Sequence, residues 1–585
     1  MKRDIEQLQE YVRNGGIDAY IVFTSDDHGS EYVVDHFKTR AFLCGFTGSA
    51  GTLVVTKDGA YLWTDGRYFI QAAKQLKATD TVLMKAGEEG VPSIFEFVKK
   101  ISDTPKIAFD FTTATVEFVE ALKKSVKGVE LVDCGEVIDR IWLDRPEVAP
   151  TKAWILPDNA TGESVKSKIE NLQKDIEKQG CEYALVSSLD DIAWLFNMRG
   201  SDIEYNPVNY AYAIVSKDGA TLFIDERKLD AKCKKTLAEN DINTLPYSDV
   251  YGVVSQIEGR VLIDKDKTNY ALFSLIKNVK ETEAFPTTVR KAIKNAVEIK
   301  NMKKAHVEDG VAVLKFMRYL KENAGKEAMS EISLADKLEA FRRESKNFLD
   351  LSFDTICGYA SNGAIVHYSA TPETDKVVEN KGLLLVDSGA QYRYGTTDIT
   401  RTFAMGKVTN EEKRAFTIVL KSHIALARAT FPKGTTGARL DMISRAPMYA
   451  YGMDFKHGTG HGVGYLLNVH EGPQNISPRA FTPKYAVLPG MITSNEPGFY
   501  EEGKFGIRHE NLVLCVEKEK TECGTFCAFE TITLVPFDLD AIDVKLLDDG
   551  EKAWLNAYHK TVLKTIGKYL DGKDLKFLER ATREI

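Results

Sequence analysis

No run of about 18 apolar residues occurs in the chain, which excludes a membrane-spanning helix on the sequence reading. Low-complexity tracts are absent as well. Basic residues do not dominate: 77 Lys and Arg stand against 85 Asp and Glu, for a net charge of −8. That balance speaks against nucleic acid as a partner, because phosphate binding needs a basic surface. The 8 cysteines follow no framework spacing, so reduced thiols and a cytoplasmic home are expected. Cys523 and Cys527, the one close pair, read as structural. The opening MKRDIEQLQEYV is charged and amphipathic and lacks the apolar core of a signal peptide. The closing FLERATREI is polar, so no lipid-anchor tail is expected either. What remains is 585 residues, 43% hydrophobic and 28% charged. These are the proportions of a soluble globular protein, too long for a single core, so two to four domains are expected.

The first half repeats itself. VTKDGAYLWTDGR (55–67) aligns with VSKDGATLFIDER (215–227) at an offset of 160 residues. In each, a Lys-Asp-Gly turn divides two β-rich runs, the pattern of a hairpin. A helical pattern follows, YFIQAAKQL in the first copy and KLDAKCKKTL in the second. Upstream, DAYIVFTSDD (18–27) resembles EYALVSSLDD (182–191), a buried strand running into acidic residues. Two α/β domains of one fold are therefore expected, residues 1–150 and 151–290, joined by the proline-bearing stretch 144–159. A third region, 291–585, opens with helical periodicity and turns to strands and glycine loops after residue 352. Its helix over 410–431 begins with a Thr409–Glu412 capping box. That helix places His423 among Phe416, Val419, Leu420 and Ala427, the surroundings of a core or surface histidine rather than a ligand. The last third reads as α+β with mainly antiparallel strands.

Only 10 histidines occur. His367, His457, His461 and His470 fall in glycine-rich or turn-like stretches. HGTGHGVG (457–464) sets two of them four apart, a spacing that on a helix would share one face, as in HExxH zinc sites. But no Glu follows the first His, and four glycines, each costing about 1 kcal/mol in a helix, argue against one. Acidic residues of this region sit where strands should bury them. In KGLLLVDSGAQYRYGTTDITRTF (381–403), LLLV is a buried strand that ends at Asp387. A turn at Tyr392–Arg393 would set Asp387 directly opposite Asp398. In SNEPGFYEEGKFGIRHENLVLCV (494–516), a turn at Gly503 would set Glu496 opposite Glu510, with Arg508 on the face of Glu510 and His509 turned away. Like charges opposed across a ladder are destabilising. They become tolerable when they share a proton or bind cations. Two such pairs and one glycine-wrapped histidine make a two-metal site, with the metals about 3.5–4 Å apart. The residues alone point to a metal-assisted hydrolase and leave its substrate open.

VDSGAQY, TDITRT, HGTGHGVG, NEPGFY and RHENL, in this order, resemble the pita-bread metallopeptidases, the family of methionine aminopeptidase, prolidase, creatinase and aminopeptidase P. LCGFTGSAGT, WTDGRYFIQAAKQ, DDIAWLFNMRGSDIEYNPV and AFETITLVPFDLDAIDV extend the likeness over the whole chain, to the long three-domain eukaryotic-type branch of that family. The resemblance implies two creatinase/prolidase-type N-terminal α/β domains followed by a pita-bread catalytic domain. It implies two divalent metal ions, and removal of the N-terminal residue from peptides with proline in second position. Carried onto this sequence, the metal ligands are Asp387, Asp398, His461, Glu496 and Glu510. Asp398 and Glu510 bridge both metals, Asp387 completes one, and His461 with Glu496 the other. His457 lines the substrate pocket. His367, in NGAIVHYSA, and His470, in NVHEGP, match the family's other active-site histidines. Arg67, in TDGRYF, matches a substrate contact in the first domain. Carboxylates and imidazole without thiolate are hard ligands, which together with the resemblance favours manganese, with cobalt, iron or zinc possible. A homodimer is implied as well.

In the mechanism this resemblance suggests, two metals make a bridging water a hydroxide at neutral pH. The hydroxide attacks the Xaa–Pro carbonyl, and His367 and His470 donate hydrogen bonds to the substrate and the tetrahedral intermediate. Glu496 carries the water's proton to the leaving proline nitrogen. Arg508 would orient Glu510 and border the substrate. Two other readings stay open. One is prolidase, which cleaves only dipeptides, and the duplicated first half argues against it. The other is a non-catalytic pita-bread protein that binds partners through its N-terminal domains, and the intact ligand set argues against that.

Overall fold

The computed structural model describes residues 2–282 and 284–585. The chain divides into two compact units, residues 1–287 and 288–585.

The first unit contains the expected duplication. Its first sheet is built from β1 (Ala19–Val22), β2 (Thr52–Thr56), β3 (Ala60–Thr64), β4 (Thr81–Lys85), β5 (Lys106–Phe109) and β6 (Glu130–Asp133), in the spatial order β4-β3-β2-β1-β5-β6. The second comprises β7 (Tyr183–Val186), β8 (Ala211–Ser216), β9 (Gly219–Ile224), β10 (Ile242–Leu245), β11 (Val261–Asp264) and β12 (Val279–Thr282). Their order is β10-β9-β8-β7-β11-β12, the same topology strand for strand. Both Lys-Asp-Gly stretches are hairpin turns, closing β2 on β3 and β8 on β9. The helices expected after them are present, Phe69–Gln75 and Ala231–Glu239. The two repeats meet at corresponding helix starts, where Val116 N–H donates to Thr268 O at 3.0 Å and Tyr270 N–H donates to Ala114 O at 2.8 Å. The linker is shorter than expected. Trp154–Ile155 already pairs with Met198–Arg199, so the end of the proline-bearing stretch belongs to the second repeat.

The second unit opens with α1 (Ala296–Asn323) and α2 (Glu331–Arg342). Three strands follow, β13 (Ile356–Tyr359), β14 (Leu383–Ser388) and β15 (Ile399–Ala404), with β14 in the middle. Next come α3 (Asn410–Ala427) and α4 (Gly437–Tyr449). The Thr409–Glu412 capping box is formed, and His423 is fully buried. The remaining strands are β16 (Gly460–Gly462), β17 (Glu471–Ile476), β18 (Ile492–Asn495), β19 (Gly498–Glu501), β20 (Phe505–Arg508), β21 (Asn511–Thr521) and β22 (Gly524–Thr531). Then comes α5 (Asp549–Ile566). Among these strands every ladder is antiparallel, as expected. The core lies between helices and strands. Leu314, Phe316 and Leu320 of α1, Leu384 and Val386 of β14, Phe416 and Val419 of α3, and Leu555 and Val562 of α5 form one buried cluster. That cluster supports the strand ends on which the acidic residues stand.

Candidate metal centre

The β14–β15 connection turns at Arg393–Tyr394, with Tyr392 paired to Gly395 and Gln391 to Thr396. This is one residue later than expected, and it moves the register by two: Asp387 faces Thr400, not Asp398. The sequence QYRYGT has no Asn-Gly or Asp-Gly to mark the turn. Its position is fixed by pairing of Tyr392 with Phe348 and Ala390 with Leu351, contacts from elsewhere in the chain. Asp398 still shares a face with Asp387, because two residues along a strand return to the same side. The second acidic pair lies as expected. Asn495 pairs with Asn511 and Gly498 with Arg508 in one unbroken register, which sets Glu496 opposite Glu510.

His461 sits in the middle of β16. A Cβ on the preceding Gly460 would lie 1.9 Å from the Ser494 carbonyl oxygen, so only glycine lets β16 approach β18 this closely. His461 Nδ1 faces its neighbour's carbonyl, Gly462 O, at 3.0 Å. Nε2 is thereby aimed at the carboxylates, 3.4 Å from Asp398 Oδ2 and 3.5 Å from Glu496 Oε1. One ligand atom each from Asp398, His461 and Glu510 lies within 4.8 Å of the others.

Burial raises the Glu510 carboxyl well above the usual range, and the charges of Asp398, Asp387 and Glu496 add to that. Burial also raises Asp387 and Glu496, against the opposing pull of Arg508 on Asp387 and of His461 and Arg508 on Glu496. Burial acts to lower His461. The Asp398 hydrogen bond and the Glu496 and Asp398 charges outweigh it and push the imidazole up to about 9. Four carboxylates this close resist ionising together unless cations supply the opposite charge. Asp387 Oδ1 and Glu510 Oε1 are buried and accept no hydrogen bond among the described residues. Oxygen-rich donors with unshared lone pairs and one imidazole fit hard divalent cations.

Arg508 is buried, and it does not orient Glu510 directly. Its Nη2 donates to Asp387 Oδ2 at 2.6 Å, its Nη1 to the Tyr500 hydroxyl at 2.6 Å and its Nε to Thr400 Oγ1 at 3.2 Å. Thr400 in turn donates to Glu510 Oε2 at 2.8 Å. Alternation along the strand gave the face of Arg508 correctly. Its partner on that face comes from β14, which no local pattern announces.

His470 stands edge-on to His461 with ring centroids 4.3 Å apart. His457 reaches the same surroundings indirectly: its Nε2 lies 2.9 Å from the Tyr500 hydroxyl that Arg508 also holds. His367 is half-buried, three residues past the short helix Ala360–Ala364. Arg67 belongs to the first unit, where Asp65 grips it through two side-chain hydrogen bonds of 2.9 and 2.8 Å.

Several supporting residues were not singled out from the sequence. Thr400 and Tyr500 are two. Arg445 is another: from α4 it donates to Phe455 O and His457 O, both at 2.7 Å, while bonded to Asp441 at 2.8 Å. Asp441 Oδ1 accepts from Thr459 at 2.7 Å. The i, i+4 spacing of Asp441 and Arg445 was the available signal.

The fold and this ring of acids define a metallopeptidase. Residues 300–517 match metallopeptidase family M24, residues 5–141 and 144–298 each match the creatinase/prolidase N-terminal domain, and 525–585 match the C-terminal region of peptidase M24. The chain is 40% identical to a probable Xaa-Pro aminopeptidase P of Fusarium vanettenii, over 99% of this chain and 98% of that one. It is also 40% identical to aminopeptidase P2 of Arabidopsis thaliana, over 95% of this chain and 84% of that one. A crystal structure of an X-prolyl aminopeptidase from Caenorhabditis elegans, described as a cytosolic enzyme with a di-nuclear active site, superposes with a TM-score of 0.93. The two are 36% identical, over 97% of this chain and 95% of that chain. The chain belongs to metallopeptidase family M24.

Proposed function

We propose that this protein is an Xaa-Pro aminopeptidase, removing the N-terminal residue from peptides with proline in second position. The observation that carries this reading is full-length similarity to proteins named for that activity, and the grouping of Asp398, His461 and Glu510 within 4.8 Å of one another supports it. We take residues 1–150, 151–290 and 291–585 as its domains.

Asp387, Asp398, His461, Glu496 and Glu510 would hold two divalent ions, with Asp398 and Glu510 shared between them. When bound, such ions lower the pKa of water and polarise a carbonyl. The remaining chemistry belongs to the chain. Glu496 accepts a proton from the attacking water as the water oxygen bonds to the carbonyl carbon, and delivers it to the proline nitrogen as the C–N bond breaks. His367 and His470 donate hydrogen bonds to the substrate and to the oxyanion. His457 lines the pocket, while Arg508 holds Asp387 and borders the substrate side of the site. Arg67 is assigned to substrate contact on the resemblance alone, and Arg67→Ala tests it as a rise in KM.

Manganese suits the oxygen-rich ligands. A cytoplasmic location accords with the free state of all the cysteines, Cys44, Cys134, Cys181, Cys233, Cys357, Cys515, Cys523 and Cys527. Among the described residues no helix is long and apolar enough to cross a membrane. The homodimer rests on the resemblance and is read by analytical ultracentrifugation.

The test is hydrolysis of Arg-Pro-Pro, Arg-Ala-Pro and Gly-Pro by metal-stripped protein reloaded with manganese. Cleavage of Arg-Pro-Pro alone supports the reading. Turnover confined to Gly-Pro makes the protein a prolidase, and turnover of Arg-Ala-Pro at the Arg-Pro-Pro rate removes the proline requirement.

A further inference from the structure

We infer that the C-terminal region, residues 525–585, holds the metal ligand Glu510 in place, through Tyr558 acting on Arg401. This rests on the assignment of Glu510 as a ligand.

Asp398, Thr400 and Thr402 face one side of β15, and Arg401 faces the other. Arg401 is 2% exposed and lies beneath the acidic face. Its donors reach six oxygens, all of them neutral. Nη1 donates to Glu510 O at 2.6 Å and to Thr400 O at 2.9 Å. Nη2 donates to Asn511 Oδ1 at 2.7 Å, Val535 O at 2.7 Å and the Tyr558 hydroxyl at 3.0 Å. Nε donates to Pro536 O at 3.2 Å. The guanidinium also stacks on Phe537, 4.1 Å from the ring centroid.

One planar fork thus ties the backbone of Glu510 to three features of the C-terminal region: the carbonyls of Val535 and Pro536, the Phe537 ring, and the α5 hydroxyl of Tyr558. Tyr558 completes the frame from its own side, donating to Val535 O at 2.8 Å and accepting from Val535 N–H at 3.3 Å. Segment 532–538 has no helix or strand of its own, so these side-chain bonds fix it.

The charge points the same way. A cation buried without a carboxylate partner is costly. Burial, and then the charge of Arg401, lowers His423 and His559 to about 3, so neither imidazole adds a second positive charge beside it. Burial lowers the Arg401 guanidinium, and Tyr558 and then Glu510 act against that, so both ends of the proposed link bear on its charge. Arg401 and Tyr558 are positioning residues on this account. They touch neither substrate nor metal, and they set where the Glu510 carboxylate stands.

The test is calorimetric titration of chelated, full-length protein with manganese chloride, comparing the parent with Tyr558→Phe, Arg401→Lys and Glu510→Gln. Tyr558→Phe keeps the ring, which stacks on Trp554 with centroids 5.4 Å apart, and removes only the hydroxyl. The expected result is weaker manganese binding by about 10–100-fold in Tyr558→Phe and in Arg401→Lys. KM for Arg-Pro-Pro should be unchanged, and excess manganese should restore kcat. Parent affinity in Tyr558→Phe, beside a weakened Glu510→Gln, would overturn this inference and leave the ligand assignment standing. Parent affinity in Glu510→Gln would overturn both. If Arg401→Lys fails to fold, Tyr558→Phe decides alone.

Discussion

Arg508 donates to Asp387 at 2.6 Å inside the second unit, with 2% of the arginine side chain and 11% of the carboxylate exposed. Both charges come from strands, β20 and β14, that are far apart in the chain. Removing one partner of a buried pair leaves the other uncompensated, at a cost of about 3–5 kcal/mol. Arg508→Met is therefore expected to lower the stability of the chelated protein by about that amount, and to lower it less after manganese is added, because the cation then neutralises Asp387. Urea titrations with and without metal check this. Equal losses in both states would contradict it.

Arg445 clamps the segment that carries His457. It holds the carbonyls of Phe455 and His457 at 2.7 Å and stacks on the Phe455 ring at 3.9 Å. Lysine keeps the charge but loses the planar fork. Arg445→Lys is expected to bind two metals as the parent does and to lose about 10–100-fold in kcat/KM. Metal analysis beside steady-state kinetics separates the two effects, and parent-like kcat/KM would refute the clamp.

A Cβ at Gly506 would stand 1.7 Å from the carbonyl oxygen of Gly363. This backbone contact presses the segment bearing His367 against the β19–β20 hairpin. Gly506→Ala is expected to cost about 1–3 kcal/mol and to lower the turnover of Arg-Pro-Pro. Calorimetric melting shows the first effect, and an unchanged Tm would mean that the two backbones separate freely.

His28, His423 and His559 are buried and neutral, with burial the leading cause of pKa values lowered to about 4, 3 and 3. The unfolded chain takes up a proton at each near pH 6.5, whereas the folded chain does so only near those lower values. Their stabilising contribution is complete above about pH 6.5 and is lost as pH falls toward 4 and 3, by about 1.4 kcal/mol per pH unit for each group. His559→Gln keeps an acceptor for Phe537 N–H, which donates to His559 Nε2 at 3.1 Å, and removes one titrating group. The slope of unfolding free energy between pH 6 and 4.5 is expected to become shallower by one such share. An unchanged slope would mean that His559 protonates without unfolding.

The sequence made the duplication readable because hairpin turns and their flanking runs are local. The Lys-Asp-Gly turns of 57–59 and 217–219 mark equivalent strands in the two sheets, and the pairing of β2 with β3 and of β8 with β9 follows from them. Glu496 and Glu510 were placed correctly for the same reason, since Gly503, at φ +79, marks their turn. Asp387 and Asp398 were placed two residues out of register. Their turn carries no glycine pair, and a neighbouring strand sets it. The partners of Arg508 and Arg401 were beyond local reading, because a periodic pattern gives the face of a side chain and never the strand that meets it.

We assign Asp387, Asp398, His461, Glu496 and Glu510 as the side chains that bind two metal ions between them. Anomalous diffraction from crystals grown with manganese measures this directly. Two anomalous peaks enclosed by these five side chains, both absent from Asp398→Asn crystals, are the result the account requires. A single peak, or peaks bound by other residues, would contradict it.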